Sequence, residues 1–145
     1  MEEPKNLWIK IGTTVSELVS DGVLRFKEDV KKIVFGGPMM GLSVDSMDYP
    51  IIKGTSGVLF LSRQDIDLRK EENCIRCARC VDVCPAQLMP LEYVKLVKNN
   101  MYKDLEDFYI TDCIECGNCS FVCPAKIPIV NYVKLGKEKL RRLKR

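Results

Sequence analysis

Eight cysteines are the residues with the most distinctive chemistry in this sequence of 145 residues, and they occur in two groups of four. The first group lies in CIRCARCVDVCP, residues 74 to 85, and the second in CIECGNCSFVCP, residues 113 to 124. Each motif has the spacing C-x2-C-x2-C-x3-C-P, and the second copy is displaced by 39 residues. Three thiolates so spaced on a curled loop can reach three irons of a cubic cluster. The pattern therefore predicts iron–sulfur binding.

The fourth cysteine of each motif is predicted to bind the cluster of the other motif. In two-cluster ferredoxins with this spacing, that cysteine leaves along the next turn and ligates the second cluster. One [4Fe-4S] centre would then have the ligands Cys74, Cys77, Cys80 and Cys123. The other would have Cys113, Cys116, Cys119 and Cys84. All eight cysteines are thus candidate metal ligands, not nucleophiles, and no catalytic residue is predicted.

Two other uses of the cysteines compete with iron–sulfur binding. Zinc is one, because a C-x2-C pair also makes half of a zinc site, but zinc sites usually take cysteines in separated pairs. Disulfides are the other, and the charged start MEEPKNLWIK lacks the features of a secretory signal. The sequence has no histidine, which excludes from this chain a Ser-His-Asp triad, a histidine-containing zinc site and a Rieske centre.

The repeat extends from the cysteines into the segments that follow them. YVKL occurs at residues 93 to 96 and again at 132 to 135, so a loop and its helix are duplicated. Residues 85 to 112 have room for two helices, in PLEYVKLVKNN and KDLEDFYI, and residues 128 to 145 predict a third. We therefore expect a mainly helical two-cluster domain at residues 74 to 145. Apolar neighbours of the cysteines would shield the clusters from water, namely Ile75, Ile114, Val81, Val83, Phe121 and Val122.

The first 62 residues have a different pattern, with alternating apolar residues and turn residues. LWIKIG at residues 7 to 12 predicts a strand, and Thr14 and Glu17 form a capping-box pattern that opens a short helix ended by Gly22. Further strands are predicted at residues 31 to 35 and 51 to 62, the second interrupted by glycines. The fold class is therefore α+β, with a linker at residues 63 to 73.

GGPMMG at residues 36 to 41 is the one glycine-rich loop in the sequence. It does not have the G-x-G-x-x-G pattern, and no clear helix follows it that could hold a phosphate. The sequence therefore gives only weak support for contact with a phosphate or a flavin. The better-supported interpretation is a tight loop at the exit of a strand, which packs Met39 and Met40 onto a neighbour.

Charge is unevenly distributed along the chain. Residues 1 to 63 are neutral, residues 64 to 133 have a net charge of −3, and residues 134 to 145 contain seven basic residues and one acidic residue. Nucleic-acid binding is not expected, because no basic and aromatic surface pattern accompanies the tail. The tail could contact anionic lipid or an acidic partner subunit, or it could be a solvated helix end. No apolar run reaches the length of a membrane span, so a soluble chain is expected.

Several segments together resemble the C subunit of the Rnf ion-translocating electron-transport complex. They are IGTTVSELV, VFGGPMMG, PIIKGTSGVLFLS, CIRCARCVDVCPAQLMPLEYV and DCIECGNCSFVCPAKIPIVNYVKL. The resemblance extends over roughly residues 5 to 137. It implies that residues 1 to 62 are similar to the soluble-ligand-binding β-grasp domain of that subunit, and that residues 74 to 145 contain its helical two-cluster ferredoxin-like domain.

The sequence departs from the family pattern in two respects. The family has a flavin- and NADH-binding domain before this region, so FMN and NADH are expected only in a domain absent from this chain. The family's β-grasp domain also begins with an earlier strand, which suggests a C-terminal fragment or a shortened form with a partial β-grasp sheet.

The function that the resemblance implies is electron transfer through two [4Fe-4S] clusters, as one subunit of an NADH and ferredoxin oxidoreductase that translocates ions. Other subunits of the complex and ferredoxin-type redox partners would be its partners, on the cytoplasmic side of the cell membrane. A cobalamin-reductase-like electron-transfer protein is one alternative. An interaction module whose metal is only structural is another.

Overall fold

The computed structural model describes residues 2–67 and 69–145. The chain divides into two compact units, Met1–Leu68 and Arg69–Arg145, here called unit 1 and unit 2. The described residues of unit 1 form one α-helix and a small sheet, and unit 2 is helical. The expected mixture of helix and antiparallel sheet is therefore present. The domain limits inferred from the sequence, at residues 62 and 74, stay predictions.

The sheet of unit 1 has three antiparallel strands in the order β2-β1-β3. They are β1 (Lys32–Phe35), β2 (Leu42–Val44) and β3 (Val58–Leu61). Ile33 of the central strand lies opposite Val44 and Phe60, and it is buried. The strand predicted at residues 31 to 35 is confirmed. Of the strand predicted at residues 51 to 62 only β3 forms, because residues 53 and 54 make a turn before it.

The helix of unit 1, α1 (Val15–Ser20), begins with the predicted capping box. The Thr14 hydroxyl accepts a hydrogen bond from the Glu17 amide at 3.2 Å, and the Glu17 carboxylate accepts one from the Thr14 amide at 2.7 Å. Two amide groups that would lack partners in a bare first turn are thereby satisfied. Gly22 follows the helix in the left-handed region, as its place at the end predicts.

The strand predicted at residues 7 to 12 is wrong. These residues are irregular, and Trp8 is fully exposed. Backbone pairing with another segment begins only at the end of this stretch, where the Gly12 amide donates to the Ile51 carbonyl and Thr14 bridges to Pro50. In the antiparallel register set by the Thr14–Pro50 bridge, residues 7 to 11 would lie opposite residues 53 to 57. Residues 53 and 54 form a turn, so the alternating apolar residues have no partner strand.

The glycine-rich loop at residues 36 to 41 connects β1 to β2, which confirms the strand-exit reading. A Cβ on Gly41 would lie 2.5 Å from Val34 Cγ1 and 2.6 Å from the Gly37 carbonyl oxygen. Only glycine therefore permits this close turn. Met39 and Met40 are 43% and 48% exposed, so about half of each side chain is in contact with solvent.

Unit 2 contains four α-helices, and residues 99 to 117 form the longest connection between them. The helices are α2 (Arg79–Asp82), α3 (Pro90–Lys98), α4 (Asn118–Phe121) and α5 (Ile129–Leu143). The first and third helices predicted in this half are confirmed as α3 and α5. The second, at residues 103 to 110, is reduced to 3-10 turns at Lys103–Leu105 and Ile110–Asp112. Tyr109 lies in the left-handed region and interrupts it.

The 39-residue repeat is present in the backbone as well as in the sequence. Helices α2 and α4 begin 39 residues apart, and so do α3 and α5. Three pairs of equivalent positions have left-handed backbones, which are Arg76 with Glu115, Ala78 with Gly117, and Gln87 with Lys126. Because a left-handed backbone costs most residues roughly 1–2 kcal/mol, its recurrence indicates that the loop shape itself is imposed by the fold.

The core of unit 2 forms where α3 packs against α5. Its fully buried side chains include Tyr93, Leu105, Ile110, Ile129 and Val133. Gly136 of α5 faces this core, and a Cβ there would lie 3.0 Å from side-chain atoms of Val97, Leu105 and Ile110. The missing side chain lets the helix approach its neighbours closely.

The close turn at Gly41 predicts a local loss of stability in unit 1. Gly41→Ala should destabilise the sheet by about 1–3 kcal/mol, because the added methyl group overpacks against Val34 and the loop backbone. Gly54→Ala is the matched control, since nothing lies within 4 Å of its Cβ position. Hydrogen exchange of the β1 amides, followed by mass spectrometry, measures the difference. Equal protection in both variants would contradict the prediction.

Candidate functional site

The first cavity of unit 2 combines thiols from both motifs. Cys74, Cys77 and Cys80 of the first motif line it together with Cys123 of the second. The remaining wall includes apolar side chains of both long helices and the loop before α5, namely Leu91, Val94, Ile127 and Ile129. This set of four cysteines is the one predicted as the first ligand group.

The second cavity has the reciprocal composition. Cys113, Cys116 and Cys119 line it together with Cys84 of the first motif. Its apolar wall includes Leu88, Tyr93, Val130 and Val133. Four thiols around an apolar space are a donor set suited to iron–sulfur clusters. The residues present therefore fit such a group in both cavities.

Short helices explain why the fourth cysteine of each motif lies on the other cavity. Helix α2 is a single turn that contains the third cysteine of the first motif and ends two residues before the fourth, and α4 has the same place in the second motif. The two short helices pack against each other. A cysteine just after such a turn is carried away from its own loop, so Cys84 and Cys123 are exchanged between the motifs.

Backbone amides donate to two of the sulfur atoms. The Leu88 amide is 3.4 Å from Cys84 Sγ, and the Glu115 amide is 3.4 Å from Cys113 Sγ. Hydrogen bonds to ligand sulfurs stabilise negative charge on them and are one of the ways in which proteins set a cluster's potential.

Burial acts against thiolate formation in the chain without metal. It raises the pKa of Cys80 and Cys113 above the ordinary value, and it raises the pKa of Cys119 to about 11. At Cys113 the Glu115 amide and the Lys137 ammonium oppose this rise. A metal binds the thiolate form of cysteine and displaces the proton of the thiol. A buried sulfur is therefore more stable bound to a metal than as a free anion.

The two motifs differ in exposure. Cys74 and Cys77 are exposed, whereas Cys119 and Cys123 are buried. The expected shielding is present in part, since Ile75 lines the first cavity and Ile114 the second, although both side chains are largely exposed on their outer side. Phe121 is 73% exposed, and neither it nor Val81, Val83 and Val122 is among the residues that line these two cavities. Much of the remaining apolar wall comes from α3 and α5. Their helical spacing was visible in the sequence, but not the direction in which each helix faces.

Ion pairs tie both motifs to the long helices. Before the first motif, Glu71 pairs with Lys98 of α3 and accepts a hydrogen bond from the Tyr132 hydroxyl of α5 at 3.1 Å. In the second motif, Glu115 pairs with Lys137 of α5 at 2.8 Å. No local sequence pattern marks these ion pairs, because their partners are far apart along the chain.

The basic tail is mostly part of α5 and has several acidic partners. Arg142 pairs with Glu138, and Lys144 pairs with Glu106. Among the described residues, no helix combines the length and apolar character needed to cross a membrane. Within the same residues, no three cysteine, aspartate or glutamate side chains are grouped closely enough to hold a single metal ion.

Comparison with known proteins gives one family match in unit 2. A family model described as a 4Fe-4S dicluster domain matches residues 73–127. That segment contains all eight cysteines.

Curated relatives extend the similarity over more of the chain. The C subunit of the proton-translocating ferredoxin:NAD(+) oxidoreductase complex of Clostridium ljungdahlii is 42% identical over 109 residues, which is 75% of this chain and 24% of that protein. Its Na(+)-translocating counterpart from Acetobacterium woodii is 36% identical over 106 residues, 73% of this chain and 24% of that protein. The C subunit of an ion-translocating oxidoreductase complex of Rhodobacter capsulatus is 40% identical over 92 residues, 63% of this chain and 18% of that protein. The chain thus spans about a quarter or less of these relatives.

The buried tyrosine of the second cavity predicts a measurable loss of stability. Tyr93→Phe removes the hydroxyl that donates to the Phe108 carbonyl at 2.7 Å, and should cost about 1–3 kcal/mol because that carbonyl loses its partner. Tyr102→Phe is the control, since its hydroxyl bonds to Asn100 at an exposed site. Denaturant unfolding under anaerobic conditions compares them. Equal midpoints would refute a special role for the buried bond.

Proposed function

Because this chain is related to the C subunits of ion-translocating oxidoreductase complexes and carries a 4Fe-4S dicluster domain, we propose that it transfers electrons through two [4Fe-4S] clusters within such a complex. The observation that carries the proposal is the arrangement of the thiols. Each of two cavities in unit 2 is lined by three cysteines of one motif and one of the other.

The proposed ligand sets follow the two cavities. Cys74, Cys77, Cys80 and Cys123 hold the first cluster. Cys113, Cys116, Cys119 and Cys84 hold the second. Each bound cluster supplies one-electron exchange. The chain supplies the thiolates, the apolar walls from α3 and α5 that exclude water, and amide hydrogen bonds to Cys84 and Cys113.

The electron partners are proposed from the names of the relatives. Two of them belong to ferredoxin:NAD(+) oxidoreductase complexes, so electrons would pass between a ferredoxin-type carrier and an acceptor elsewhere in the complex. We assign FMN and NADH binding to a part of the complex outside these residues. The glycine-rich loop supports this assignment, because its backbone closes on itself through the Gly41 amide and the Gly37 carbonyl at 2.7 Å.

Unit 1 is proposed to be a partial β-grasp domain that serves as a scaffold or docking module. Its three-stranded antiparallel sheet and capped helix support the proposal. The unit also has an open cavity of about 440 Å³, whose lining includes Trp8, Ile11 and Ile52. The protein would act at the cytoplasmic face of the membrane without spanning it. The three relatives are named as members of ion-translocating complexes, so the cobalamin-reductase alternative is not favoured.

Metal and sulfide analysis tests the proposed cofactors. Anaerobically purified chain should contain about eight irons and eight acid-labile sulfides, and dithionite reduction should give an EPR signal from two interacting reduced clusters. Stoichiometric zinc without labile sulfide, in protein never exposed to oxygen, would make the cysteines structural and would remove the electron-transfer function.

Exchange of the fourth cysteine is tested in a chain that keeps only one cluster. Cys113→Ser with Cys116→Ser should leave about four irons, held by the first motif and Cys123. Adding Cys123→Ser should then remove this iron, although Cys123 lies in the second motif. Adding Cys84→Ser in its place is the matched control and should leave the iron bound. The opposite result would show that each motif binds its own cluster alone.

A further inference from the structure

Lys137 connects helix α5 to the second cysteine motif at a partly buried position. Its ammonium donates to the carbonyl oxygen of Cys113 at 2.6 Å and to the Glu115 carboxylate at 2.8 Å. The side chains of Lys137 and Glu115 are only 17% and 28% exposed. Solvent ions therefore screen this pair less than an exposed pair.

Glu115 contributes to the site through its backbone as well as its side chain. Its φ is 56°, in the left-handed region, and its amide donates to Cys113 Sγ at 3.4 Å. One residue thus directs its amide at a proposed ligand sulfur while its carboxylate is held by α5. Lys137 also contacts the carbonyl of that same ligand residue, so it joins both ends of the turn.

The first motif lacks this arrangement, although its loop has the same backbone shape. Arg76 is the equivalent of Glu115 and has a φ of 55°. It is exposed, and no ion pair or hydrogen bond joins its side chain to another described residue. The equivalent of Lys137 is Lys98, which pairs with Glu71 before the motif begins. The two motifs therefore share the same loop backbone but differ in the charged residues around it.

Glu115 lines the second cavity and Lys137 is paired with it, so both charges lie close enough to act on the reduction of a cluster held there. Reduction adds one negative charge, which a nearby ammonium stabilises and a nearby carboxylate opposes. Lys137 and Glu115 contribute in opposite directions, and removal of either one leaves the other uncompensated. Their two effects can therefore be separated by single substitutions.

We propose that Lys137 and Glu115 are positioning residues that set the reduction potential of the second cluster independently of the first. This inference rests on the proposed two-cluster function. Lys137 holds the loop in its left-handed turn, and the balance of the two charges fixes how readily the enclosed cluster takes up an electron.

The test is a potentiometric titration of the full chain, followed by EPR, for four variants and the unmodified protein. Lys137→Gln should shift one of the two reduction waves to lower potential, and Glu115→Gln should shift the same wave to higher potential. The other wave should stay in place. Lys137→Arg should restore a potential close to that of the unmodified chain. Lys139→Gln is the control, because it removes the same charge from an exposed position on α5.

The outcomes separate this inference from the proposed function. Absence of iron and sulfide in the unmodified chain would remove the function. Full cluster content with no shifted wave, or with a shift equal to that of Lys139→Gln, would overturn the inference alone. If the Lys137→Gln variant loses the second cluster, the Glu115→Gln variant provides the test. A raised reduction potential of its second cluster supports the inference, and an unchanged potential overturns it.

Discussion

The packing of α3 against α5 is the interaction on which unit 2 depends, because neighbouring faces of this helix pair form walls of both cavities. Leu91 and Val94 of α3 line the first cavity, and Tyr93 of the same helix lines the second. On α5, Ile129 lines the first cavity and Val133 lines the second. Each buried side chain of this size contributes about 1.5–3 kcal/mol, so the helix pair supplies much of the core that holds the cysteine loops.

Much of the site followed from the sequence because its information is local. The cysteine spacing, the C-P endings and the YVKL repeat each span only a few residues. These patterns predicted helices α3 and α5 and the two groups of four thiols. The capping box at Thr14 is also local, and it was confirmed. In these cases the residues that form the structure are neighbours in the chain.

Other features could not be read from the sequence because they depend on distant partners. Residues 7 to 12 alternate like a strand, but a strand forms only where another can pair with it, and the segment that would lie opposite turns away at residues 53 and 54. Phe121 is apolar and close to proposed ligands, yet it lies at the surface and lines neither cysteine cavity. The ion pair of Glu115 with Lys137 joins residues 22 positions apart, without a motif to mark it.

The exchange of Cys84 and Cys123 between the cavities determines the order in which a growing chain can complete them. Ribosomes release residues from the amino terminus onward, so the second cavity has its full set of thiols once Cys119 has emerged. The first cavity must wait for Cys123, although three of its cysteines are made much earlier. The motif that is synthesised first is therefore the last to be complete, and a nascent chain that stops between the motifs has three thiols of the first cavity and lacks the fourth.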